Sequence, residues 1–187
     1  MKRALTLLTL ATIALSPLGA QESSPPLINI STRATIDTGN PRVIVGFTIP
    51  ASPNPDKPWF PKTLVVRGIG PGLAQYGVTN PLPDPVVQLF DANGIELSES
   101  WVNDFTKPID PANELDTAEA RAAHGVAIAG IMAQVGAFSV PVPTLENPVV
   151  SDFSLAIGLP EGSYTLVVSS ASGASGDILA EIYSVDP

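Results

Sequence analysis

The fold class is decided by residues 163–185, SYTLVVSSASGASGDILAEIYSV. Two strands are predicted here, and in each of them apolar residues at every second position share one face. These residues are Tyr164, Leu166 and Val168 in the first strand and Ile178, Ala180 and Ile182 in the partner strand. The intervening residues 170–176 are Ser, Gly and Ala, a composition typical of a loop. Both strands can therefore line a core.

Six further runs of β-forming residues occur upstream, bounded by Pro, Gly, Asn and Asp. They are residues 27–33, 42–49, 62–67, 85–91, 95–100 and 152–157. The turn-forming residues 37–41 predict a hairpin between the first two strands. Asn93-Gly94 predicts a second hairpin, because this pair tolerates the positive φ of a tight turn. A single helical turn is predicted over residues 73–76, before Gly77.

One segment has the pattern of a helix. Asp116 and Glu119 have the spacing of a capping box, and an Ala-rich sequence continues from there to Val135. The apolar residues recur at helical spacing and predict a face that packs on a sheet: Ile128, Ile131, Met132 and Val135. The sequence therefore predicts an all-β protein, a single β-sandwich of about eight mainly antiparallel strands with one packed α-helix near 117–134.

The N-terminus has the pattern of a secretory signal peptide. Lys2 and Arg3 precede a short apolar run, residues 4–15, which is too short to span a bilayer, and Ala20 precedes a polar segment. We expect a signal peptide at 1–20, a disordered segment at 21–26 and the β-sandwich domain at 27–187. The protein is thus predicted to be secreted, to the periplasm, the cell surface or the medium.

Composition excludes several classes of partner and site. The 187-residue chain has a formal net charge of −9, which argues against nucleic acid as a partner, and no membrane insertion is expected. It has no cysteine and a single histidine, His124, so one chain cannot build a zinc site from His and Cys. No cofactor is predicted, apart from weakly bound Ca²⁺. The sequence leaves the oligomeric state open.

Several motifs occur together in one order along the chain. A strand ends in Val66-Arg67, a Gly70-Pro71 turn follows, LPDP at 82–85 leads into a strand, DANG at 91–94 forms a turn, and GSYT at 162–165 opens the last hairpin. In this order the chain resembles a β-rich module that recurs in large secreted and surface proteins of verrucomicrobial and related environmental bacteria. The resemblance implies the fold and an extracellular compartment, and it implies no activity, substrate or site residue.

Two patterns in the sequence are related to catalysis or cofactor binding. Gly68-x-Gly70 after an apolar strand is typical of dinucleotide binding, but the third glycine is missing and no βαβ unit follows, which favours a structural turn. His124 with a nearby carboxylate or serine could serve a secreted hydrolase, although no Gly-x-Ser-x-Gly motif exposes a nucleophile. We therefore predict no catalytic residue and keep the hydrolase as the alternative function.

Oxygen-rich turns are the candidate metal sites. They contain hard ligands suited to calcium in an extracellular setting. The candidate ligands are Asp91 and Asn93 in one turn and Asn103, Asp104 and Asp110 in a longer loop. Because Asp and Asn also favour turns by bonding to their own backbone, ordinary turn chemistry stays the competing interpretation.

Aromatic residues in loops are the candidate binding residues. Trp59, Phe60, Tyr76 and Trp101 lie in loops or at strand ends, where exposed rings could stack on sugars or on a protein. The competing interpretation is that these rings cap the core of the sandwich. We predict a non-catalytic extracellular interaction or structural module that binds a surface protein or a polysaccharide. Arg33 and Arg67 are expected to pair with acids such as Asp84 or Asp152 rather than with a ligand.

Overall fold

The computed structural model describes residues 29–51, 61–97, 117–142, 144–146 and 151–185, with the backbone alone at 118, 121 and 124. Its main elements follow one another as β1 (Asn29–Ile36), β2 (Arg42–Ile49), β3 (Lys62–Ile69), β4 (Pro85–Asp91), α1 (Ala118–Gln134), β5 (Phe153–Leu159), β6 (Gly162–Ser170) and β7 (Gly176–Ser184). A 3₁₀ helix, Pro71–Tyr76, follows β3 and confirms the predicted helical turn.

The strands form two antiparallel sheets that pack face to face as a β-sandwich. One sheet has the order β1-β7-β3-β5 and the other has the order β2-β6-β4. The predicted all-β sandwich with one helix is therefore confirmed. Along the chain, the described strands belong alternately to the four-stranded and the three-stranded sheet, so no two consecutive strands are hydrogen-bonded neighbours.

This alternation corrects two predicted hairpins. β1 and β2 lie in different sheets, and their connection is an arch in which Asp37 Oδ1 accepts hydrogen bonds from the amides of Gly39 and Asn40, both at 2.8 Å. β6 and β7 also lie in different sheets. The apolar alternation of a strand is the same whether its neighbour in sequence lies beside it or opposite it, so the pattern cannot distinguish the two.

The turn after β4 is the one predicted hairpin that forms in part. The Asp91 amide donates to the Ile95 carbonyl at 3.0 Å, and the Leu97 amide donates to the Leu89 carbonyl at 2.7 Å. Phe90 and Glu96 form a single bridge rather than a continued strand. Residues 98–100 of the predicted strand lie outside the described residues.

The main core fills the space between the two sheets. Tyr164, Leu166 and Val168 of β6 face Ile178, Ala180 and Ile182 of β7 across this core, and all six are buried. The prediction that both strands line a core is therefore confirmed. Packing is close enough that a Cβ at Gly68 would overlap Val87 Cγ2.

Helix α1 covers the outer face of the four-stranded sheet. Ile128 and Met132 are buried in a second core with Val65 of β3 and Tyr183 of β7, and Ile131 and Val135 are packed against it, as predicted. The helix begins at Ala118, because Thr117 Oγ1 accepts from the Ala120 amide at 3.1 Å. The predicted cap at Asp116 is thus wrong by one position, since either residue can cap a helix.

The C-terminal end of α1 turns the chain back towards the sheet. Gly136 has φ 72°, and the Gly136 and Ala137 amides donate to the carbonyls of Ala133 and Met132. These bonds form a Schellman motif, which requires a left-handed residue after the helix. None of the helices in the described part of the chain is long and apolar enough to cross a membrane.

Candidate functional site

A pocket opens beside the helix layer, where the turn after β3 meets the residues that follow α1. Its volume is about 510 Å³, within the range of small-molecule sites. The described residues that line it are Pro71, Gly72, Gln75, Ser139, Val140, Pro141 and Asp152. Both apolar and polar groups therefore line an opening large enough for a sugar-sized ligand.

The turn that forms one wall depends on glycine and proline. Gly70 lies against Leu82, whose backbone carbonyl oxygen would overlap any Cβ at this position. Pro71 begins the 3₁₀ helix, where its missing N–H leaves no bond unmade. Gly77 ends that helix with φ 80°. The sequence thus forces a sharp bend directly after β3 and places Gln75 and Tyr76 on it.

Asp152 anchors this bend from the opposite wall. Its Oδ1 accepts hydrogen bonds from the Gly70 amide at 2.9 Å and the Gly72 amide at 3.1 Å, and its Oδ2 accepts from Gly72 at 2.9 Å. A Cβ at Gly72 would lie 2.7 Å from Asp152 Oδ2, so only glycine permits this approach. The amides that a dinucleotide phosphate would need are occupied by a side chain, which confirms the structural interpretation of the glycine turn.

Burial determines the acidity of Asp152. The residue is 5% exposed, and desolvation raises the pKa of its carboxyl group above the usual value. Hydrogen bonds from Gly72 and Gly70 and the charge of Arg67 oppose this change without cancelling it. The site therefore contains a carboxylate that is more basic than an exposed aspartate.

A buried ion pair lies on the same face of the sheet. Arg67 of β3 and Glu181 of β7 are direct cross-strand partners, with Nε and Oε2 3.1 Å apart. Arg67 Nη1 donates to the Phe138 carbonyl at 2.8 Å, and the guanidinium lies 4.4 Å from the Phe138 ring centroid. The pairing is incomplete, because Arg67 Nε and Nη2 and Glu181 Oε2 have no hydrogen-bond partner among the described residues.

Tyr183 completes this buried group. Its hydroxyl donates to Glu181 Oε1 at 2.8 Å. Burial and the neighbouring carboxylate raise the pKa of Tyr183 to about 12. Desolvation also lowers the pKa of Arg67, although the charge of Glu181 opposes the change. Arg67 and Glu181 thus form an ion pair beside the Phe138 ring, and Arg67 is 0% exposed.

The expected partners of the two arginines are corrected by the strand register. Arg33 pairs with Asp177 at 2.8 Å and Arg67 pairs with Glu181, because β7 lies between β1 and β3. Asp84 instead accepts from the Ser170 hydroxyl at 2.6 Å and the Ser172 amide at 2.8 Å. Desolvation would raise the pKa of Asp84, but these hydrogen bonds outweigh it and lower the pKa.

Tyr76 is the predicted aromatic binding residue that the structure describes, and it lies next in sequence to a lining residue of the pocket without being one itself. It is 57% exposed, follows Gln75 directly, and its ring packs edge-on against Phe138 with 4.8 Å between centroids. Phe138 directly precedes Ser139, so Tyr76 and Phe138 are each next in sequence to a lining residue of the pocket. The other predicted aromatic residues, Trp59, Phe60 and Trp101, lie outside the described residues.

One of the two predicted calcium sites, the turn at Asp91 and Asn93, lies among the described residues. Asp91 Oδ1 accepts from the amides of Asn93 and Ile95, both at 2.8 Å, and Oδ2 accepts from Asn93 Nδ2 at 3.3 Å. The Ile95 hydrogen bond is the first of the contacts that lower the pKa of Asp91. The described residues contain no group of three or more His, Asp or Glu side chains that could hold a metal. The other candidates, Asn103, Asp104 and Asp110, lie outside the described residues.

His124 lies on α1, with its backbone alone described. The hydrolase alternative therefore stays a prediction. Sequence reasoning missed Gln75 and Ser139 and treated Asp152 only as a partner for arginine. One signal was available for Asp152: a turn rich in glycine amides needs a buried acceptor, and an aspartate at a strand start can supply it.

Comparison with protein-family models and with curated proteins finds no match for this chain. Among solved structures, the chain is similar to the pre-peptidase C-terminal domain of collagenase from Bacillus anthracis. The sequence identity is 10%, the alignment covers 83% of this chain and 89% of that chain, and the TM-score is 0.39. At this level of similarity no residue or activity is transferred from that domain.

Proposed function

We propose that the protein is a secreted, non-catalytic interaction module that binds a polysaccharide through the pocket at Asp152 and the exposed ring of Tyr76. The observation that carries the proposal is the combination of the two: an exposed aromatic ring directly follows the lining residue Gln75, and the pocket is open and has several hydrogen-bonding groups. Aromatic rings supply large contact area to the apolar faces of a ligand, and placed polar groups fix its orientation.

The polar groups of the pocket suit sugar hydroxyls. Gln75 and Ser139 each bring both donor and acceptor capacity, and Asp152 brings acceptors. The Gln75 amide nitrogen donates to the Gly72 carbonyl at 2.9 Å, which fixes that side chain on the bend. A polysaccharide therefore fits the pocket better than a flat protein surface would, and a surface protein is the second candidate partner.

The lining of the pocket supports binding rather than catalysis. Glycoside hydrolysis normally uses two carboxyl groups on either side of the scissile bond. Asp152 is the single ionisable side chain among the described residues of the lining, and its carboxylate already accepts three hydrogen bonds from the bend. These bonds hold the carboxylate in place as part of the wall.

Secretion is the second part of the proposal and is supported by the sequence of residues 1–20, which lie outside the described residues. Mass spectrometry of the exported protein tests it directly. Cleavage after Ala20 gives a mature chain that starts at Gln21. Recovery of exported protein with Met1 to Ala20 intact would contradict the predicted cleavage.

Binding is tested by isothermal titration calorimetry with soluble oligosaccharides of equal length, made of glucose, of N-acetylglucosamine and of glucosamine. Tyr76→Ala should weaken binding of the preferred oligosaccharide about tenfold, because the stacking surface is removed. The matched control is Ile44→Ala, an exposed apolar residue on the outer face of the three-stranded sheet, which should leave binding unchanged.

Two results would contradict this function. Absence of binding to all three oligosaccharides at millimolar concentration would rule out a polysaccharide as the partner and leave a surface protein as the candidate. Release of reducing ends from a bound oligosaccharide, lost in His124→Ala, would support the hydrolase alternative instead.

A further inference from the structure

The pocket has a negative charge that the described residues do not balance. Asp152 is the ionisable residue of the described lining, and no described lysine or arginine lines the pocket with it. The charge of Arg67 acts on Asp152, but Arg67 is fully buried and paired with Glu181. The Arg67–Glu181 pair is neutral as a unit, so the charge of Asp152 is left over. Such a carboxylate favours the approach of a cation.

The hydrogen bonds of the pocket also exclude an anionic ligand. Gly70 and Gly72, whose amides form the wall, both donate to Asp152. An anionic group would therefore find both amides already bonded to Asp152 and would be repelled by the Asp152 carboxylate. The three contacts come from two N–H groups, because the Gly72 amide is shared between Oδ1 and Oδ2, so the carboxylate, with about four acceptor positions, keeps capacity for a donor from the ligand.

Tyr76 adds a second attraction for positive charge. The face of an aromatic ring attracts cations through its quadrupole, and Tyr76 is 57% exposed. Phe138 packs against the Tyr76 ring in an edge-to-face arrangement, with 4.8 Å between the centroids. A carboxylate together with an accessible aromatic ring is the combination of groups that recognises a protonated amine.

We propose that the pocket binds the protonated amino group of an amino-sugar residue within a polysaccharide, with Asp152 accepting its hydrogen bond and Tyr76 contacting the sugar ring. This inference rests on the function proposed above, because the polysaccharide is the ligand that carries the amine. It adds a specificity: amino sugars with a free amine bind, and N-acetylated or acidic sugars bind weakly.

The experiment compares two oligosaccharides of equal length, one of glucosamine and one of N-acetylglucosamine, at low salt and at a pH where the amine is protonated. The exported wild-type chain should bind the glucosamine oligomer about tenfold more tightly, as expected for a hydrogen bond between charged groups. This preference should shrink in part in about 1 M salt, where the screening length is about 3 Å, and the loss is partial because Asp152 is 5% exposed and buried charges are screened less.

Asp152→Asn removes the charge with little change of shape and should abolish the preference. Because this variant loses a hydrogen-bond acceptor at the bend, its melting temperature is measured beside the binding. The salt series on the wild-type protein tests the same charge without any substitution, so the inference does not depend on the variant folding.

Each outcome decides the matter. Equal affinity for the two oligomers at low salt would overturn the amine specificity and leave polysaccharide binding intact. Absence of binding to either oligomer and to the glucose oligomer would overturn the proposed function itself. Tighter binding to an oligolysine peptide than to the glucosamine oligomer would overturn the proposal that the ligand is an amino sugar and would favour a protein partner. Salt-sensitive preference for the glucosamine oligomer, lost in Asp152→Asn, would support the inference.

Discussion

Replacing Glu181 with leucine should destabilise the protein strongly. Glu181 is 4% exposed and its partner Arg67 is 0% exposed, so the substitution leaves a guanidinium buried without its counter-ion. Removing one member of a buried ion pair costs about 3–5 kcal/mol. That is a large fraction of the roughly 5–15 kcal/mol that stabilises an ordinary domain.

The same geometry predicts a rescue. Three atoms of the pair have no hydrogen-bond partner among the described residues, so its charges are poorly compensated for their burial. Replacing both members by apolar residues, as in Arg67→Met with Glu181→Leu, should recover most of the free energy of unfolding that Glu181→Leu loses, since such replacements are often neutral or stabilising. Tyr183→Phe must accompany them, because the Tyr183 hydroxyl would otherwise lose its acceptor at a cost of about 1–3 kcal/mol.

Urea unfolding followed by circular dichroism measures these variants. With a slope of about 2 kcal/mol per molar urea, Glu181→Leu should lower the midpoint by about 2 M, and the triple variant should return to within about 0.5 M of the wild type. Arg33→Met is the control, because it removes an exposed arginine whose pair contributes about 0–1 kcal/mol. A loss below about 1 kcal/mol for Glu181→Leu, or a triple variant less stable than this single variant, would refute the reasoning.

Three further predictions concern stability. Raising the pH from 10 towards 12 should lower the free energy of unfolding. The pKa of Tyr183 is about 12 in the folded protein, so over this pH range the unfolded chain loses the Tyr183 proton and the folded chain retains it. Tyr183→Phe should reduce the fall of the urea midpoint over this pH range. Gly70→Ala should cost about 3 kcal/mol by overlap with the Leu82 carbonyl, whereas Gly46→Ala, which meets no atom within 4 Å, should change the urea midpoint little. Tyr164→Phe should cost about 1 kcal/mol in the same assay by deleting the 2.9 Å bond to the Pro160 carbonyl.

Local patterns predicted seven of the eight expected strands and the helix, whereas the strand predicted at 95–100 is a single bridge at Glu96 in its described part. The period-two alternation in β6 and β7 and the helical spacing of Ile128 and Met132 identify which faces are buried, and the structure buries those faces. Pairing could not be predicted in the same way. The Asp37 turn suits an arch as well as a hairpin, because its hydrogen bonds are local and do not depend on where β2 lies.

The candidate site was less predictable because its parts are distant in the sequence. Tyr76 could be identified as an aromatic residue beside a glycine turn, and the structure leaves it exposed. The role of Asp152 depends on its position next to Gly70 and Gly72, which only the assembled sheet provides. The partner of Arg67 follows from the register of β3 with β7, and no spacing in the sequence specifies that register.

The order of the strands has a consequence for how the chain acquires its structure. Every hydrogen-bonded strand pair joins one of β1–β4 to one of β5–β7, and even the nearest such partners, Asp91 and Tyr164, are far apart in sequence. Large loops must therefore close before any ladder forms, which makes folding slow. During synthesis, the first four strands leave the ribosome before their partners exist. The two sheets therefore cannot assemble until β5–β7 have followed, and β1–β4 stay without their strand partners up to that point.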